Sequence, residues 1–417
     1  MNKRLSRPVD LSLIKPFPKR KYKYLYSKML DESIIRLAWK NVRKGKTKRD
    51  AVKRIEKNLD EEVRKMRERI LNTKPDGYYV EHPELAYEPP KVRRTKIVHE
   101  NKKKRTAHLA DIREQWYFHI IVEVLKPLMV TRIERGICGC IPGRGTHYGK
   151  KMVEKSIKNG TIKYFFKADV RHFYDNVRID DVICKLSDLI DDELFLHCIA
   201  KIYKYQKKGI LIGLYISPWI SNFLLMHIDY TIARIDGVTY IRYVDDFVIM
   251  CNNKKTLHKI SVLLRYMLGK IHLKLKSNYQ VCKFDYVTKK QRIVNGDSIP
   301  IRIGRPIDFL GFVFFRDRII IRKRIMLDTV RMAKKIKKVK QEKRLIWAKL
   351  ARAMVSRIGW FTHSDTYNCY LKHIKPYVRI QDLKKIISKL DHRESKQRRI
   401  LTHDRELEER AMCGASC

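Results

Sequence analysis

Acidic residues are scarce in this sequence of 417 residues. Lysine and arginine together number 93, aspartate and glutamate only 45, and the formal net charge is +48. A compact chain with that surplus repels itself unless phosphates neutralise it, so a nucleic acid is a better partner than a small acidic substrate. Hydrophobic residues make up 44% of the chain, and 22 residues are tyrosine. This content excludes a disordered basic tail and indicates a folded protein.

Cysteines are few, and long apolar runs are almost missing. The nine cysteines form no C-x-x-C pair, which excludes a disulfide framework and a zinc ribbon and favours a reducing compartment. The one apolar stretch near membrane-spanning length, residues 209–228, is interrupted by two serines, a proline and an asparagine. A buried segment of an enzyme explains it better than a membrane span. The opening Met1-Asn2-Lys3-Arg4 leads into no apolar stretch, so we expect a cytoplasmic protein without a membrane partner.

Helical patterns occupy both ends of the chain. Between residues 48 and 72, apolar residues recur at spacings of three and four, which predicts an amphipathic helix. The segment Pro75-Asp76-Gly77 predicts the turn that stops it. A very basic helical pattern runs from Lys323 to Arg357, and a further helical piece begins near Ile380.

The middle of the chain, about 160–320, has a different pattern. Short β-rich pieces such as Tyr164-Phe165-Phe166 alternate with helical stretches around 179–203 and 255–272. This alternation predicts an α+β fold.

Two segments with acidic residues carry the sharpest chemical signal. Tyr243-Val244-Asp245-Asp246 has apolar runs on both sides, which predicts a β-hairpin whose turn presents carboxylates. Asp169 ends another apolar run, where a buried carboxylate needs a partner or a metal. Magnesium prefers oxygen ligands, and two such ions on neighbouring strands would activate a primer 3′ oxygen and stabilise the leaving pyrophosphate. This arrangement is typical of a polymerase palm.

These motifs resemble those of reverse transcriptases. Tyr243-Val244-Asp245-Asp246 is similar to their YxDD box, and residues 169–175 are similar to their first catalytic motif. Three further segments match prokaryotic members in the expected order: the finger segment at 142–147, the template- and nucleotide-contacting motif at 212–218 and the primer grip at 309–312. The resemblance covers roughly 80–320 and extends more loosely into both flanks.

The resemblance implies an α+β, right-handed polymerase with fingers, palm and helical thumb. It implies RNA-directed DNA synthesis, in which deoxynucleotides are added to a primer on an RNA template to give a cDNA product. The catalytic positions correspond to Asp169, Asp245 and Asp246. These acids and the backbone carbonyl of Val170 would hold two Mg²⁺ ions, for which Mn²⁺ can substitute.

The resemblance also implies binding residues around that centre. Tyr174 would lie against the deoxyribose and exclude a 2′-hydroxyl. The other nucleotide-binding candidates are Lys102, Lys104, Arg105, Phe173, Gly213 and Ser217. The primer-grip candidates are Phe309, Leu310 and Gly311, and the nucleic-acid-binding candidates are Arg144, Lys334, Lys335, Lys337 and Lys338.

Many relatives place a lysine near the position of Tyr279, where it is proposed as general acid to the pyrophosphate. Here Lys274, Lys276 and Lys283 are the available substitutes, and a lysine on a solvated strand is the alternative interpretation for each.

The implied domain organisation has four parts. Residues 1–75 form a basic helical N-terminal extension, 76–160 the fingers, 161–320 the palm with a finger insertion, and 321–417 the helical thumb and C-terminal tail.

The Ile-Gly-x-x-x-Ser pattern at 212–217 is similar to the enzymes of diversity-generating retroelements and to defence-linked reverse transcriptases. Diversity-generating enzymes typically place glutamine after that serine, whereas Pro218 stands here, as in group II intron enzymes. A stand-alone bacterial enzyme working with its own non-coding RNA, in antiviral defence or as another retroelement enzyme, fits best. The alternatives are a diversity-generating enzyme with an accessory protein and a maturase-like RNA-binding protein. A homo-oligomer also stays open.

Overall fold

A computed structural model describes residues 8–17, 21–100, 103–206, 208–294, 297–342, 345–389 and 392. The chain divides into two compact units, Met1–Lys283 and Phe284–Cys417. Each unit is described by itself.

The first unit is mainly helical. Its α-helices are α1 (Leu25–Met29), α2 (Glu32–Arg43), α3 (Asp50–Lys57), α4 (Leu59–Leu71), α5 (Ile112–Arg132), α6 (Thr146–Lys158), α7 (Phe173–Asn176), α8 (Ile179–Ser187), α9 (Glu193–Ile202), α10 (Ser217–Ala233) and α11 (Lys254–Lys270). Short 3-10 turns lie at Leu11–Leu13 and Pro83–Leu85.

Helix α5 is the central support of this unit. Asp111 caps it by accepting a hydrogen bond from the backbone N–H of Glu114 at 2.8 Å. The side chains from Trp116 to Leu125 are all buried, so the helix is apolar on nearly every side. Trp116 donates its indole N–H to the carbonyl of Ile35 at 2.8 Å, which fixes α2 against α5.

Two sheets complete the first unit. Strands β1 (Thr95–Glu100) and β2 (Lys103–His108) form an antiparallel ribbon. A five-stranded sheet contains β3 (Ile137–Cys138), β4 (Tyr164–Asp169), β5 (Thr239–Tyr243), β6 (Asp246–Cys251) and β7 (Gln280–Lys283) in the order β3-β5-β6-β4-β7. Its pairs are antiparallel except for β3 with β5. Phe247 to Cys251 are all buried, because helices such as α11 cover this sheet.

The second unit combines short strands with basic helices. Strands β8 (Tyr286–Val294) and β9 (Asp297–Ile303) form one antiparallel pair, and β10 (Ile307–Phe309), β11 (Phe312–Phe314) and β12 (Ile319–Ile321) form a three-stranded sheet. The helices are α12 (Lys323–Gln341), α13 (Ala348–Ile358) and α14 (Tyr367–His373), with a 3-10 turn at Phe361–His363 and a further helical stretch at 380–389.

The α+β prediction is confirmed, and so is the acidic hairpin, which β5 and β6 form. The single helix predicted over 48–72 was wrong: Asn58, with φ −131°, separates α3 from α4. The basic run after Lys323 also forms two helices, α12 and α13. In the described part of the chain, no helix combines the length and the apolar character that crossing a membrane requires.

Candidate active site

Strand pairing brings the three acids together at one edge of the five-stranded sheet. Asp169 is the last residue of β4, and Asp246 is the first of β6 and stands directly opposite it in the antiparallel register. Directly opposed residues have Cβ atoms about 5 Å apart. Asp245 lies in the two-residue turn between β5 and β6, next to this pair. Residues 76 positions apart in the chain thus form one acidic cluster, as the sequence predicts.

Backbone and side-chain hydrogen bonds hold the acidic turn. Val244 adopts φ +56°, a conformation that is rare for a β-branched residue. Its carbonyl accepts a 2.6 Å hydrogen bond from the guanidinium of Arg242. On the other side, the backbone N–H of Val170 donates to the carbonyl of Asp245 at 3.2 Å. The turn is therefore connected both to its own hairpin and to β4.

Arg242 is itself fixed by a buried ion pair. It donates to both carboxylate oxygens of Asp229 on α10, at 2.7 and 2.5 Å, and to the amide oxygen of Asn222 at 3.0 Å. Arg242 and Asp229 are completely buried, so an unpaired charge at either position would be costly. This pair was not predicted from the sequence. The available signal was a charged residue in each of two otherwise apolar segments, since a buried charge requires a partner.

Burial and mutual repulsion disfavour ionisation of the acids in the turn. Burial, followed by the charge of Asp169, raises the pKa of Asp245 above its usual value. Burial, with Asp169 and Asp245 as further causes, raises the pKa of Asp246 to about 6. Burial is the larger cause of both shifts, and repulsion from the neighbouring acids adds to it.

Asp169 has one oxygen paired and one unpaired. Its Oδ2 accepts from the ammonium of Lys276 at 2.5 Å, whereas its Oδ1 is buried without a hydrogen-bond partner among the described residues. An all-oxygen donor set with a buried unpaired oxygen fits a hard divalent cation such as Mg²⁺. In the described part of the chain, however, no group of three or more His, Cys, Asp or Glu residues is arranged as a metal site. Lys276 already neutralises part of the charge that such an ion would meet.

A cavity of about 810 Å³ opens beside the acids, which lies within the usual size range of small-molecule sites. Asp245 and Val170 line it, and Lys104 and Arg105 of β2 contribute positive charge. Lys276 also lines the cavity, whereas Lys274 and Lys283 do not. Cations and carboxylates thus surround one space, as binding a metal-bound triphosphate would require. Lys102 lies outside the described residues.

The two aromatic residues that follow Asp169, Phe173 and Tyr174, both line the cavity but differ in burial. Phe173 is buried in the hydrophobic core, while Tyr174 is partly buried and packs against it. Both line the cavity, and their rings meet edge to face at 5.4 Å. Burial raises the pKa of Tyr174 to about 12, so the phenol stays protonated at neutral pH.

Gly213 and Ser217 support the cavity wall without lining it. The carbonyl of Leu211 accepts from the Ser217 hydroxyl at 2.7 Å, and the hydroxyl of Tyr203 lies 2.9 Å from the same Ser217 oxygen. Gly213 has φ +105°, and a Cβ there would lie 2.5 Å from the carbonyl oxygen of His108. Only glycine allows this close approach, which joins β2 to the 210–212 segment of the wall.

Arg144 does not line the cavity either. Its guanidinium donates to the carbonyl of Glu134 at 2.9 Å, and its own carbonyl accepts from the backbone N–H of Gly139 at 2.7 Å. Arg144 therefore lies in the loop before α6, and its guanidinium bonds to the protein backbone.

The predicted primer-grip residues form a tight hairpin in the second unit. Phe309 is buried, and Leu310 and Gly311 connect β10 to β11 with φ angles of +53° and +83°. Two consecutive positive φ angles are typical of a type I′ hairpin turn. A Cβ on Gly311 would lie 2.7 Å from the ring of Trp360, so the turn packs closely against the end of α13.

The predicted thumb lysines lie on one helix. Lys334, Lys335, Lys337 and Lys338 are all exposed on α12, whereas Ala333 and Ile336 between and beside them are buried. This spacing leaves a continuous basic surface that a nucleic-acid backbone can approach.

Comparison with protein-family models identifies a family for this chain. The family model described as "Reverse transcriptase (RNA-dependent DNA polymerase)" matches residues 90–314, more than half of the chain. A search of curated proteins finds no match.

Solved telomerase structures are similar at low identity. Apo telomerase from Candida tropicalis, truncated from the C-terminal domain, has a TM-score of 0.37 and 12% identity over 55% of this chain and 53% of that chain. Telomerase from Candida albicans in complex with a TWJ fragment of telomeric RNA has a TM-score of 0.42 and 10% identity over 71% and 63%. This chain thus spans less than two thirds of the length of either structure.

Proposed function

Since this chain belongs to the reverse transcriptase family of RNA-dependent DNA polymerases, we propose that Asp169, Asp245 and Asp246 form its catalytic centre. The chain is an RNA-directed DNA polymerase with a right-handed polymerase fold. The observation that carries the assignment of the centre is the register of β4 and β6, which sets Asp169 opposite Asp246 with Asp245 in the adjoining turn.

Asp169 and Asp245 are the proposed principal ligands of two Mg²⁺ ions, with Asp246 and the carbonyl of Val170 as further donors and Mn²⁺ as a substitute. The unpaired buried oxygen of Asp169 and the raised pKa of both turn acids support this proposal. When bound, the ions would activate the primer 3′ oxygen and stabilise the leaving pyrophosphate. Lys276 bonds to the other oxygen of this carboxylate, Oδ2, so Oδ1 remains available as the ligand atom.

The residues around the cavity have distinct proposed roles. Lys104 and Arg105 neutralise the triphosphate, on which negative charge increases as pyrophosphate leaves. Tyr174 lies against the sugar of the incoming nucleotide and excludes a 2′-hydroxyl. Gly213 and Ser217 act indirectly by fixing the 210–212 wall. Lys276 is the best placed of the three candidate general acids, since it lines the cavity and the other two, Lys274 and Lys283, do not.

The proposed domains follow the sequence boundaries: extension at 1–75, fingers at 76–160, palm at 161–320, and thumb and tail at 321–417. The β10–β11 turn is the proposed primer grip, and the basic surface of α12 is the proposed thumb contact for the template–primer duplex. Arg144 is a proposed nucleic-acid contact.

The biological setting is proposed as a stand-alone, cytoplasmic bacterial enzyme that copies a structured non-coding RNA into cDNA, in antiviral defence. The excess of 48 positive charges supports a large RNA partner. A diversity-generating enzyme with an accessory protein is the second candidate, favoured by the Ile-Gly-x-x-x-Ser pattern at 212–217.

Primer extension on an RNA template tests the proposed centre. Asp245→Asn is isosteric but removes a ligand charge, so we expect incorporation of deoxynucleotides to be lost while the RNA dissociation constant stays close to that of the wild type. Asp236→Asn, at an exposed acid outside the cavity, is the matched control and should keep full activity. Substantial magnesium-dependent synthesis by Asp245→Asn would refute the assignment.

A further inference from the structure

A second cavity, distinct from the proposed catalytic one, has four arginines among its ten lining residues. It has a volume of about 480 Å³ and lies in the first unit. Arg49 at the start of α3, Arg69 at the end of α4, Arg94 just before β1 and Arg113 in the first turn of α5 all line it. We call this space the arginine cavity. Four segments that are separate in sequence thus bring guanidinium groups to one place.

The acids near this cavity are fewer than its arginines: Glu62 lies close enough to Arg69 and Arg113 for both charges to lower its pKa. Arg113 is satisfied by Glu62, with which it makes two hydrogen bonds of 2.8 and 2.7 Å. Asp111 is the one acid among the described lining residues, and its Oδ1 accepts from the backbone N–H of Glu114 at the start of α5. Among the described ion pairs, none involves Arg49, Arg69 or Arg94. Three such charges around one cavity repel each other unless an anion joins them.

Lys46 lies beside the arginine cavity and adds a further positive charge to it. The ammonium of Lys46 donates to the amide oxygen of Gln115, a lining residue, at 2.7 Å. Burial, and after it the charge of Arg49, lowers the pKa of Lys46. The hydrogen-bond partner of the Lys46 ammonium is therefore the neutral amide of Gln115, which does not cancel its charge.

The chemistry of the lining selects a phosphate group. Guanidinium groups match phosphate oxygens with paired hydrogen bonds. None of the residues that line the arginine cavity is aromatic, so it offers no platform on which a base could stack. A backbone phosphate therefore fits this cavity better than a nucleobase or a whole nucleotide.

The position of the arginine cavity links it to the proposed catalytic cavity. Lys104, Arg105 and His108 of β2 line the catalytic cavity. Ala110, two residues after His108, lines the arginine cavity. Two residues of extended chain cover about 7 Å. One strand of a bound polyanion can therefore reach both sites.

We propose that the arginine cavity binds a backbone phosphate of the RNA held by this enzyme, outside the catalytic cavity. This inference rests on the proposed function, because it takes RNA to be the bound polyanion. The site anchors the RNA through Arg49, Arg69 and Arg94 and takes no part in the chemistry.

The salt dependence of RNA binding tests this site. The probe is a single-stranded heteropolymeric RNA, and binding is followed by fluorescence anisotropy across a salt series. In the combined variant R49Q/R69Q/R94Q, the slope of log affinity against log salt should fall by roughly 0.7 for each phosphate that the protein no longer neutralises. The matched control K53Q/R54Q/K57Q removes three exposed charges of α3 that do not line the cavity, and its slope should stay close to that of the wild type. Equal slopes in the two triple variants would overturn the proposal.

Two further measurements separate the remaining outcomes. Phenylglyoxal modification of the wild type, mapped by mass spectrometry, should show Arg49, Arg69 and Arg94 protected by RNA, and this needs no variant to fold. Lack of protection would overturn the proposal. Calorimetric titration with inorganic phosphate should show weak binding, whereas tight phosphate binding without RNA protection would assign the cavity to a free anion instead. Because every readout is binding, failure of nucleotide incorporation would refute the proposed function without affecting this test.

Discussion

Replacing Asp246 by asparagine is expected to stabilise the metal-free protein at neutral and alkaline pH. Burial and the neighbouring acids raise the pKa of Asp246 from 3.8 to about 6. The folded state therefore holds this proton more tightly than the unfolded state does. By linkage, the free energy of unfolding falls as pH rises from about 4 to about 6 and stays lower above that range. Asparagine does not ionise, so the variant avoids this loss.

The expected size of the effect follows from the shift. One pKa unit corresponds to about 1.4 kcal/mol, so the full shift of Asp246 corresponds to roughly 3 kcal/mol. Asp246 is partly accessible to solvent, and screening there reduces the expected difference to roughly 1–2 kcal/mol. The variant should thus exceed the wild type by this amount at about pH 8 and match it near pH 4.

Urea unfolding in EDTA, followed by tryptophan fluorescence across this pH range, measures the difference. Comparing variant with wild type at each pH cancels the titration of groups that do not interact with Asp246, and the difference therefore reports the acidic cluster. Asp236→Asn removes the same charge at an exposed position, where surface substitutions usually change stability by less than about 0.5 kcal/mol. A gain for Asp246→Asn that does not change with pH, or an equal gain for Asp236→Asn, would refute the electrostatic reasoning.

Three other substitutions test separate parts of the molecule. Tyr174→Val should lower the preference for deoxyribonucleotides over ribonucleotides, by roughly tenfold to hundredfold in the ratio of specificity constants; equal losses on both would indicate a packing role, and a selective effect only at Phe173 would move the sugar gate to that residue. Gly213→Ala should cost roughly 1–3 kcal/mol in thermal unfolding, because its Cβ meets the His108 carbonyl at 2.5 Å; unchanged stability would contradict the close approach. Neutralising the four exposed lysines of α12 should shorten extension products with little change in single-nucleotide additions; unchanged product length would place the thumb contact elsewhere. These lysines are Lys334, Lys335, Lys337 and Lys338.

The local sequence pattern was sufficient to predict the strands and the turn that carry the acidic residues. The apolar runs on both sides of Asp245 and Asp246 predict a hairpin because strand formation and a tight turn depend on neighbouring residues. The expectation that the acids lie on neighbouring strands followed from the order of motifs in related polymerases, whereas the register that sets Asp169 opposite Asp246 comes from the structure. Periodicity failed at Asn58, since the apolar spacing from Ile55 to Leu59 is four residues and continues the helical register across the break.

Contacts between distant segments could not be predicted from the sequence. Lys276 was one of three equivalent candidates, and only the fold shows that its ammonium bonds to Asp169. The arginine cavity likewise depends on the packing of α3, α4 and α5, because its cations come from separate charge runs that each look like a solvated surface.

Mapping the metal at the acidic cluster decides whether the three acids form the catalytic centre. Fe²⁺ bound in place of Mg²⁺ generates hydroxyl radicals that cut the nearby backbone, and the cuts are located by mass spectrometry. We predict cuts at the end of β4 around Asp169 and in the turn around Asp245, suppressed by excess Mg²⁺ and abolished in Asp169→Asn together with single-nucleotide addition on an RNA template. Cuts that persist in Asp169→Asn, or nucleotide addition that survives this substitution, would contradict the proposed metal site.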